Sequence, residues 1–198
     1  VILACLSQLG YSAEWRVVNA AEYGAAQRRR RTFIFAYRDD TCYGTRIAQE
    51  TPESILQEKG FMSKAFPISG ISDIANTLLP KDIVEVSDSF GFAFQPAGYM
   101  TQSHIYTTSV AVAGDDPILL GSLLEKCKEE DYYLTSDRLQ KWDYLKGAKK
   151  IPRTAANGHQ YVFSEGPVAF PDPWDRPART MLTSESTLNR SSHVVADP

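Results

Sequence analysis

The sequence predicts an α+β fold in which short strands, hairpins and a few helices are joined by irregular loops. Three observations support this prediction: apolar residues recur at helical spacing in separate segments, aromatic and β-branched residues form short strand-like runs, and an Asn-Gly pair separates two such runs. The chain of 198 residues has 43% hydrophobic and 23% charged residues, so it can bury a core and is not of the disordered class. No apolar run approaches the roughly 18 residues that cross a bilayer, so we expect no membrane segment.

The first 38 residues predict a helix, a strand, a turn and a second strand. Apolar residues from Val1 to Leu9 follow helical spacing, and Gly10 is a typical residue after a last helical turn. Residues 15–20 predict a short strand, residues 22–26 a turn, and residues 32–37 a buried strand. Because the helical pattern starts at the first residue and no Met precedes it, we expect the chain to be a piece of a longer protein.

The next elements are shorter and are separated by long loops. Pro52 occupies the first position of a predicted helix that ends at Lys59, before Gly60. Residues 105–112 predict a strand, and residues 118–128 predict a helix.

A longer helix is predicted over residues 137–146. Ser136 is its expected N-cap, Gly147 follows its end, and its apolar stripe consists of Leu139, Trp142 and Leu145.

A hairpin is predicted over residues 151–164. Asn157-Gly158 lies between the two strand-like runs of this segment. We expect a type I′ turn there, because that turn needs two residues that tolerate positive φ.

The charge is distributed unevenly along the chain. Its 21 basic and 24 acidic residues give a net charge of −3, but residues 1–38 contain six basic and two acidic residues, a local charge of +4. Residues 39–198 carry −7, and residues 138–153 within them hold six basic residues and one acidic residue, a local +5. The net charge therefore does not exclude a nucleic-acid partner, since a local basic patch can bind phosphates.

The cysteines predict neither a disulfide framework nor a metal site. Cys5, Cys42 and Cys127 are odd in number, widely spaced and outside any Cys-x-x-Cys pattern. We expect structural thiols, no bound metal and a reducing compartment such as the cytoplasm.

An arginine run, Gln27-Arg28-Arg29-Arg30-Arg31, leads directly into the strand predicted over residues 32–37. If strand geometry extends backward, Gln27, Arg29 and Arg31 share one face, and the other two arginines share the opposite face. Guanidinium groups on a rigid strand suit the bidentate binding of a phosphate or carbonyl oxygen. By charge alone, a hydrated run or one paired with carboxylates is an equally good interpretation.

The run ends a longer pattern, and another pattern lies near the C-terminus. The N-terminal pattern consists of Leu9-Gly10-Tyr11, Val17-Val18-Asn19-Ala20, Tyr23-Gly24 and Gln27-x-Arg29-x-Arg31. The C-terminal pattern is Asp175-Arg176-Pro177-Ala178-Arg179-Thr180-Met181-Leu182-Thr183-Ser184-Glu185. The N-terminal pattern closely resembles the seventh and eighth sequence motifs of the DNA (cytosine-5) methyltransferases, and the C-terminal pattern resembles the ninth motif of that family.

The resemblance implies a division of the chain and an activity. Residues 1–38 would end a catalytic domain, residues 39–174 would form the family's variable target-recognition domain, and residues 175–198 would return toward the catalytic domain. Such enzymes transfer a methyl group from S-adenosylmethionine to C5 of a cytosine flipped out of a specific duplex site. We expect a bacterial restriction-modification or phage modification enzyme.

Much of the family pattern is absent from this sequence. It has no Phe-x-Gly-x-Gly loop for the cofactor, no Pro-Cys nucleophile, no Glu-Asn-Val acid and no tenth motif. We therefore expect this fragment alone to be inactive and to bind no S-adenosylmethionine, and we assign it no cofactor-binding residue.

The resemblance also implies roles for single residues. Arg31 would be catalytic, donating to the cytosine O2, and Arg29 would support it or bind the neighbouring phosphate. Gln27 would order the turn and is counted, with Arg29, among the DNA-binding residues. Arg179 and Thr180 would serve as scaffold for the recognition region.

The basic patch and the hairpin are the predicted DNA-binding surface of the recognition region. We expect phosphate contacts from a loop that carries Lys149, Lys150 and Arg153, and base contacts from polar side chains of the hairpin, which are Asn157, His159 and Gln160. Lys141 and Lys146 fit the hydrated face of a surface helix better.

Two alternatives remain at this level. The chain could be a standalone sequence-specific DNA-binding module, or the small subunit of a split methyltransferase. In the favoured interpretation it is monomeric, and its partners are double-stranded DNA and the missing catalytic portion of the same protein, with no membrane partner.

Overall fold

The structure is a computed structural model that describes residues 1–126, 130–185 and 187–197. It confirms the α+β class, with 28% of the described residues in helices and 28% in strands. The chain forms two compact units, one of Val1–Gly24 with Arg29–Asp116 and one of Ala25–Arg28 with Pro117–Pro198. The boundaries of these units differ from those of the domains expected from the sequence, which are residues 1–38, 39–174 and 175–198. Those domain boundaries stay a prediction.

The first unit begins with the elements expected from the sequence. Helix α1 (Ile2–Gln8), strand β1 (Tyr11–Asn19), a 3₁₀ turn (Ala20–Tyr23) and strand β2 (Arg30–Arg38) follow in order. Gly10 follows α1 with a φ of 74°, a conformation that glycine adopts without strain.

Short helices follow β2. They are α2 (Cys42–Ile47), α3 (Pro52–Ser54), which continues as a π-helical turn (Ile55–Lys59), and α4 (Phe61–Ala65). The helix predicted from Pro52 to Lys59 is thus confirmed, and α2 and α4 are not apparent from the sequence pattern.

The remaining elements of the first unit include the other three strands of a five-stranded antiparallel sheet. They are β3 (Ile68–Ile71), β4 (Ala75–Leu78), α5 (Ile83–Asp88), β5 (Ala97–Thr101), β6 (His104–Thr108) and β7 (Val110–Val112). The main sheet has the order β2-β1-β5-β6-β4, and β3 pairs with β7 in a separate two-stranded sheet. The strand character predicted over residues 105–112 is confirmed, and the structure divides this segment at Ser109 into β6 and β7, which pair with different strands.

Strand β1 lies inside the sheet and is buried on both faces. Trp15 packs on one face against Met100 and Ile105, and its ring covers Gly98 so closely that a Cβ there would lie 1.8 Å from it. On the opposite face, Glu14 accepts hydrogen bonds from the Tyr43 hydroxyl at 2.7 Å and from the Met62 backbone N–H at 3.0 Å.

Strand β2 is not the buried strand that its composition predicts. It lies at the edge of the sheet and pairs with β1. Phe33 is 45% exposed and Ile34 is 47% exposed. An edge position, which composition does not reveal, explains why apolar side chains here remain accessible.

The second unit contains a helix and a hairpin. Its elements are two 3₁₀ turns (Leu120–Leu123 and Glu130–Tyr132), helix α6 (Ser136–Lys146), and strands β8 (Lys149–Thr154) and β9 (Gln160–Glu165).

The helix predicted over residues 118–128 is wrong for its described part. Leu124 is already extended, and the N–H groups of Leu120 and Gly121 donate to the carbonyls of Arg176 and Trp174, both at 3.0 Å. These tertiary hydrogen bonds hold a short turn in place. Cys127 and Lys128 lie outside the described residues.

Helix α6 and the hairpin are confirmed with two local corrections. The N-cap is Thr135, whose hydroxyl accepts from Arg138 N at 3.5 Å, and not Ser136. The hairpin turn is not type I′. Gly158 N donates to Ala155 O at 2.9 Å and Gly158 has φ 84°, whereas Asn157 has no positive φ, as in a type I turn followed by a left-handed glycine.

Candidate nucleic-acid interface

The arginine run does not form one continuous strand. Strand β2 begins at Arg30, so the alternation of faces predicted back to Gln27 is wrong. Arg31 lies opposite Val18 in the sheet and is exposed, and its Nη1 donates to the Arg30 carbonyl at 2.7 Å. Arg29 is half-buried, and its carbonyl accepts from Ala20 N at 3.0 Å. Both residues belong to the first unit.

Gln27 belongs to the second unit, where it contacts the C-terminal pattern. Ala178 N donates to Ala26 O and Arg28 N donates to Ala178 O, each at 2.8 Å. The Thr180 hydroxyl donates to Arg28 O at 2.8 Å, and the Gln27 Oε1 accepts from a backbone N–H at 3.2 Å. Residues 26–28 at the Gln27 part of the N-terminal pattern are therefore bound directly to the C-terminal pattern.

The second unit contains a buried carboxylate with several hydrogen-bond donors around it. Asp172 accepts from Arg179 Nε at 2.7 Å and Nη2 at 3.1 Å, from Lys146 Nζ at 3.2 Å and from Val194 N at 3.0 Å. Only 2% of the Asp172 side chain and 1% of the Lys146 side chain are exposed. This network joins the end of α6, the segment around Asp172 and the C-terminal segment.

The environment of this carboxylate changes its acidity. Burial alone would raise the pKa of Asp172, but hydrogen bonds from Arg179 and Val194 and the charges of Arg179 and Lys146 outweigh it, so the pKa lies below its ordinary value. The carboxylate is therefore ionised when it meets the two cations.

The expectation that Lys146 lies on a hydrated helix face is wrong. Its ammonium also donates to the Ser192 carbonyl at 2.6 Å. A signal for this was present, because Lys146 follows the buried Trp142 at the i, i+4 spacing of one helix face, whereas Leu139 of the predicted apolar stripe is 40% exposed. No comparable signal marks Asp172 in the sequence.

The hairpin divides the predicted DNA-contacting cations between its two faces. Lys149, Lys150 and Arg153 lie in strand β8 and not in a loop. Side chains alternate along the strand, so Lys149 and Arg153 lie on one face of the hairpin. Lys150 lies on the other face, together with Thr154 and its cross-strand partner Gln160.

These cations differ in how they are engaged. Lys149 donates to the Leu145 carbonyl at 2.8 Å and lies 3.6 Å from Glu165, with 13% of its side chain exposed. Lys150 is exposed. The exposed Arg153 guanidinium lies 4.0 Å from the ring centroid of Phe163, which orients it.

The polar residues near the turn are accessible. Asn157, His159 and Gln160 are all exposed. The Asn157 Oδ1 accepts from His159 N at 3.1 Å, and this hydrogen bond does not use the Asn157 side-chain NH₂. The turn thus presents donors and acceptors at the end of a two-stranded sheet.

The described residues contain no group of three or more His, Cys, Asp or Glu residues that could hold a metal ion, and no helix long and apolar enough to cross a membrane. Cys5 is half-buried and Cys42 is exposed, both as free thiols, and Cys127 lies outside the described residues.

The chain is similar to known proteins. The family C-5 cytosine-specific DNA methylase matches residues 1–188. The Type II methyltransferase M.Sau3AI of Staphylococcus aureus is 42% identical over 198 residues, which cover 98% of this chain and 48% of that relative. The chain thus spans about half the length of the curated relative it matches. No solved structure matches it.

Proposed function

The chain belongs to the C-5 cytosine-specific DNA methylase family, and we propose that it is the part of such an enzyme that binds a specific duplex site and helps to hold the target cytosine. The membership confirms the resemblance inferred from the two sequence patterns. It also removes the ground for a DNA-binding module without catalytic relatives, whereas a split methyltransferase remains compatible with it.

One observation carries the proposal. Residues 26–28 and 178–181, which are separated by about 150 residues in the sequence, are bound to each other in one compact unit. The intervening chain contributes α6 and the hairpin to that unit. This arrangement is what an inserted recognition region between two family motifs requires.

The hairpin would provide the contacts to the duplex. Lys150 and Arg153 would bind phosphates and set the register, while Asn157, His159 and Gln160 would reach base edges in the major groove. Lys149 would contribute less, because its ammonium is already bound within the unit.

Arg31 would act at the cytosine itself. Its exposed guanidinium can donate to O2, where negative charge develops as a nucleophile adds to the ring, and Arg29 would support it or bind the neighbouring phosphate. S-adenosylmethionine would supply the methyl group when bound to the intact enzyme. No residue of this chain is assigned to hold the cofactor.

The bacterial relative supports a proposed cellular setting. A bacterial restriction-modification or phage modification enzyme would work in the bacterial cytoplasm, as a monomer on double-stranded DNA.

The catalytic domain would include residues 1–38, the recognition domain residues 39–174, and residues 175–198 would return toward the catalytic domain.

Two measurements test the proposal. The intact protein should transfer labelled methyl groups from S-adenosylmethionine to C5 of cytosine in duplex DNA, and this chain alone should transfer none. A gel-shift series across salt concentrations should show that one duplex sequence is bound more tightly than unrelated duplexes. Equal binding of all duplexes by the intact protein would refute a recognition role.

A further inference from the structure

A guanidinium holds the base of the hairpin. Arg190 Nη1 donates to the Leu145 carbonyl at 2.7 Å and to the Gly147 carbonyl at 3.1 Å, and its Nη2 donates to the Gly166 carbonyl. Nη1 also lies 3.4 Å from the Glu165 carboxylate. One side chain therefore binds the last turn of α6, the residue after α6 and the residue after β9.

The backbone around Arg190 is itself held in place. Asn189 donates through Nδ2 to Ser184 O at 2.8 Å and accepts at Oδ1 from Ser191 N at 2.7 Å. The Ser192 hydroxyl donates to Thr187 O at 2.6 Å. Arg190 thus projects from a backbone segment that these hydrogen bonds hold, and 22% of its side chain is exposed.

The hairpin needs such support. Strands β8 and β9 form a sheet of two strands, and within the described residues no third strand pairs with them. A two-stranded hairpin is marginally stable by itself. Its orientation relative to α6 therefore depends on contacts at its base, where β8 begins and β9 ends. Arg190 joins these two points, because its planar guanidinium can donate to several carbonyls at once.

We propose that Arg190 is a positioning residue that sets the orientation of the β8–β9 hairpin and, through it, the sequence selectivity of DNA binding. This inference rests on the proposed function of the hairpin as the base-contacting element. Base contacts tolerate displacements of only about 0.5 Å, whereas phosphate attraction falls off gradually, so a loosened hairpin loses selectivity before it loses affinity.

The test compares Arg190→Ala with Arg176→Ala in the intact protein. Arg176 is a matched control, because it belongs to the same unit, carries the same charge, and is exposed with an ion pair to the adjacent Asp175. The preferred duplex is first selected with the wild-type protein from a random pool. Binding of that duplex and of scrambled duplexes is then measured for each variant.

We expect Arg190→Ala to reduce the ratio of selected to scrambled binding at least about tenfold, while binding of scrambled duplexes changes less than about twofold. Arg176→Ala should leave the ratio unchanged. An unchanged ratio in Arg190→Ala, or equal losses for both duplexes, would overturn the inference, and equal losses would identify Arg190 as a phosphate contact.

Hydrogen exchange without DNA separates this inference from the proposed function. The Gly147 N–H donates to Asp143 O at 2.9 Å and the Val168 N–H to Lys146 O at 2.8 Å, both at the base of the hairpin. In Arg190→Ala these amides should exchange faster while those of the β8–β9 ladder keep their rates, and unchanged rates at the base would overturn the inference. A wild-type protein without any selectivity would instead refute the proposed function.

A milder variant covers the case in which Arg190→Ala does not fold. Arg190→Lys keeps the charge but cannot reach three carbonyls with one planar group. It should show a selectivity ratio between those of the wild type and Arg190→Ala. A ratio equal to that of the wild type would mean that charge alone suffices, and would overturn the positioning role.

Discussion

Replacing Asp172 with Asn should destabilise the second unit by about 3 kcal/mol. Asn preserves the size of the side chain and can still accept from Val194 N, so the change removes mainly the charge. Lys146, with 1% of its side chain exposed, would then be a buried cation without its counter-ion. Breaking a buried pair in this way costs about 3–5 kcal/mol. We expect the lower end, because Arg179 is 23% exposed and can recover hydration.

Replacing Lys146, the partner of Asp172, checks the predicted loss of stability independently. Lys146→Met leaves Asp172 bound to Arg179 and Val194 N, so it should cost about 1–2 kcal/mol. The double variant removes both charges and should cost less than the sum of the two single changes.

Peptide-resolved hydrogen exchange measures these effects without assuming that both units unfold together. Protection should fall in α6 and in residues 187–197, and it should stay unchanged in β1, which serves as the reference. A loss below about 1 kcal/mol in Asp172→Asn, or an equal loss in β1, would refute the role of a buried charge network.

The contribution of Asp172 to the stability of the second unit depends on pH with a defined sign. The pKa of Asp172 is lower in the folded protein than the ordinary carboxyl value of about 3.9, so its stabilising contribution is present above that value and is lost as the pH falls through the lower folded pKa. The stability difference between the wild type and Asp172→Asn should therefore shrink below about pH 4.

Three further predictions concern catalysis, DNA binding and packing. Arg31→Ala should lower the single-turnover methyl-transfer rate of the intact enzyme by about 10²–10³ and change the DNA Kd much less; equal losses would make Arg31 a phosphate contact. Lys150→Ala and Arg153→Ala should each weaken duplex binding and reduce the slope of log K against log salt by about 0.9, and an unchanged slope would exclude a phosphate contact. Gly98→Ala should destabilise the first unit by at least about 1–3 kcal/mol, because its Cβ would lie 1.8 Å from the Trp15 ring. A thermal unfolding midpoint equal to that of the wild type would contradict this packing.

Elements with strong local signals were predictable from the sequence. Helix α6 follows from its apolar spacing, and the hairpin follows from Asn157-Gly158 between two strand-like runs. Errors occurred where tertiary contacts outweigh the local pattern. The segment from residue 118 forms a short turn because its N–H groups bind carbonyls more than 50 residues away.

The candidate site was predictable in composition but not in arrangement. The exposed residues Lys150, Arg153 and His159 were identified from charge and type. The long-range contacts around this surface were not predictable, because Lys146 meets Asp172 across 26 residues and Arg190 meets Leu145 across 45 residues. No periodicity spans such separations.

The sequence by itself determined the α+β class and, through its two motif patterns, membership of the cytosine-5 methylase family. These properties depend on residue types at fixed spacing, which the sequence records directly. Only the tertiary structure decided that Lys146 is buried, that the strand after the arginine run lies at a sheet edge, and that Gln27 contacts the chain near Thr180. Burial and hydrogen bonding between distant segments depend on which surfaces pack together, and that is a property of the folded chain and not of any local stretch.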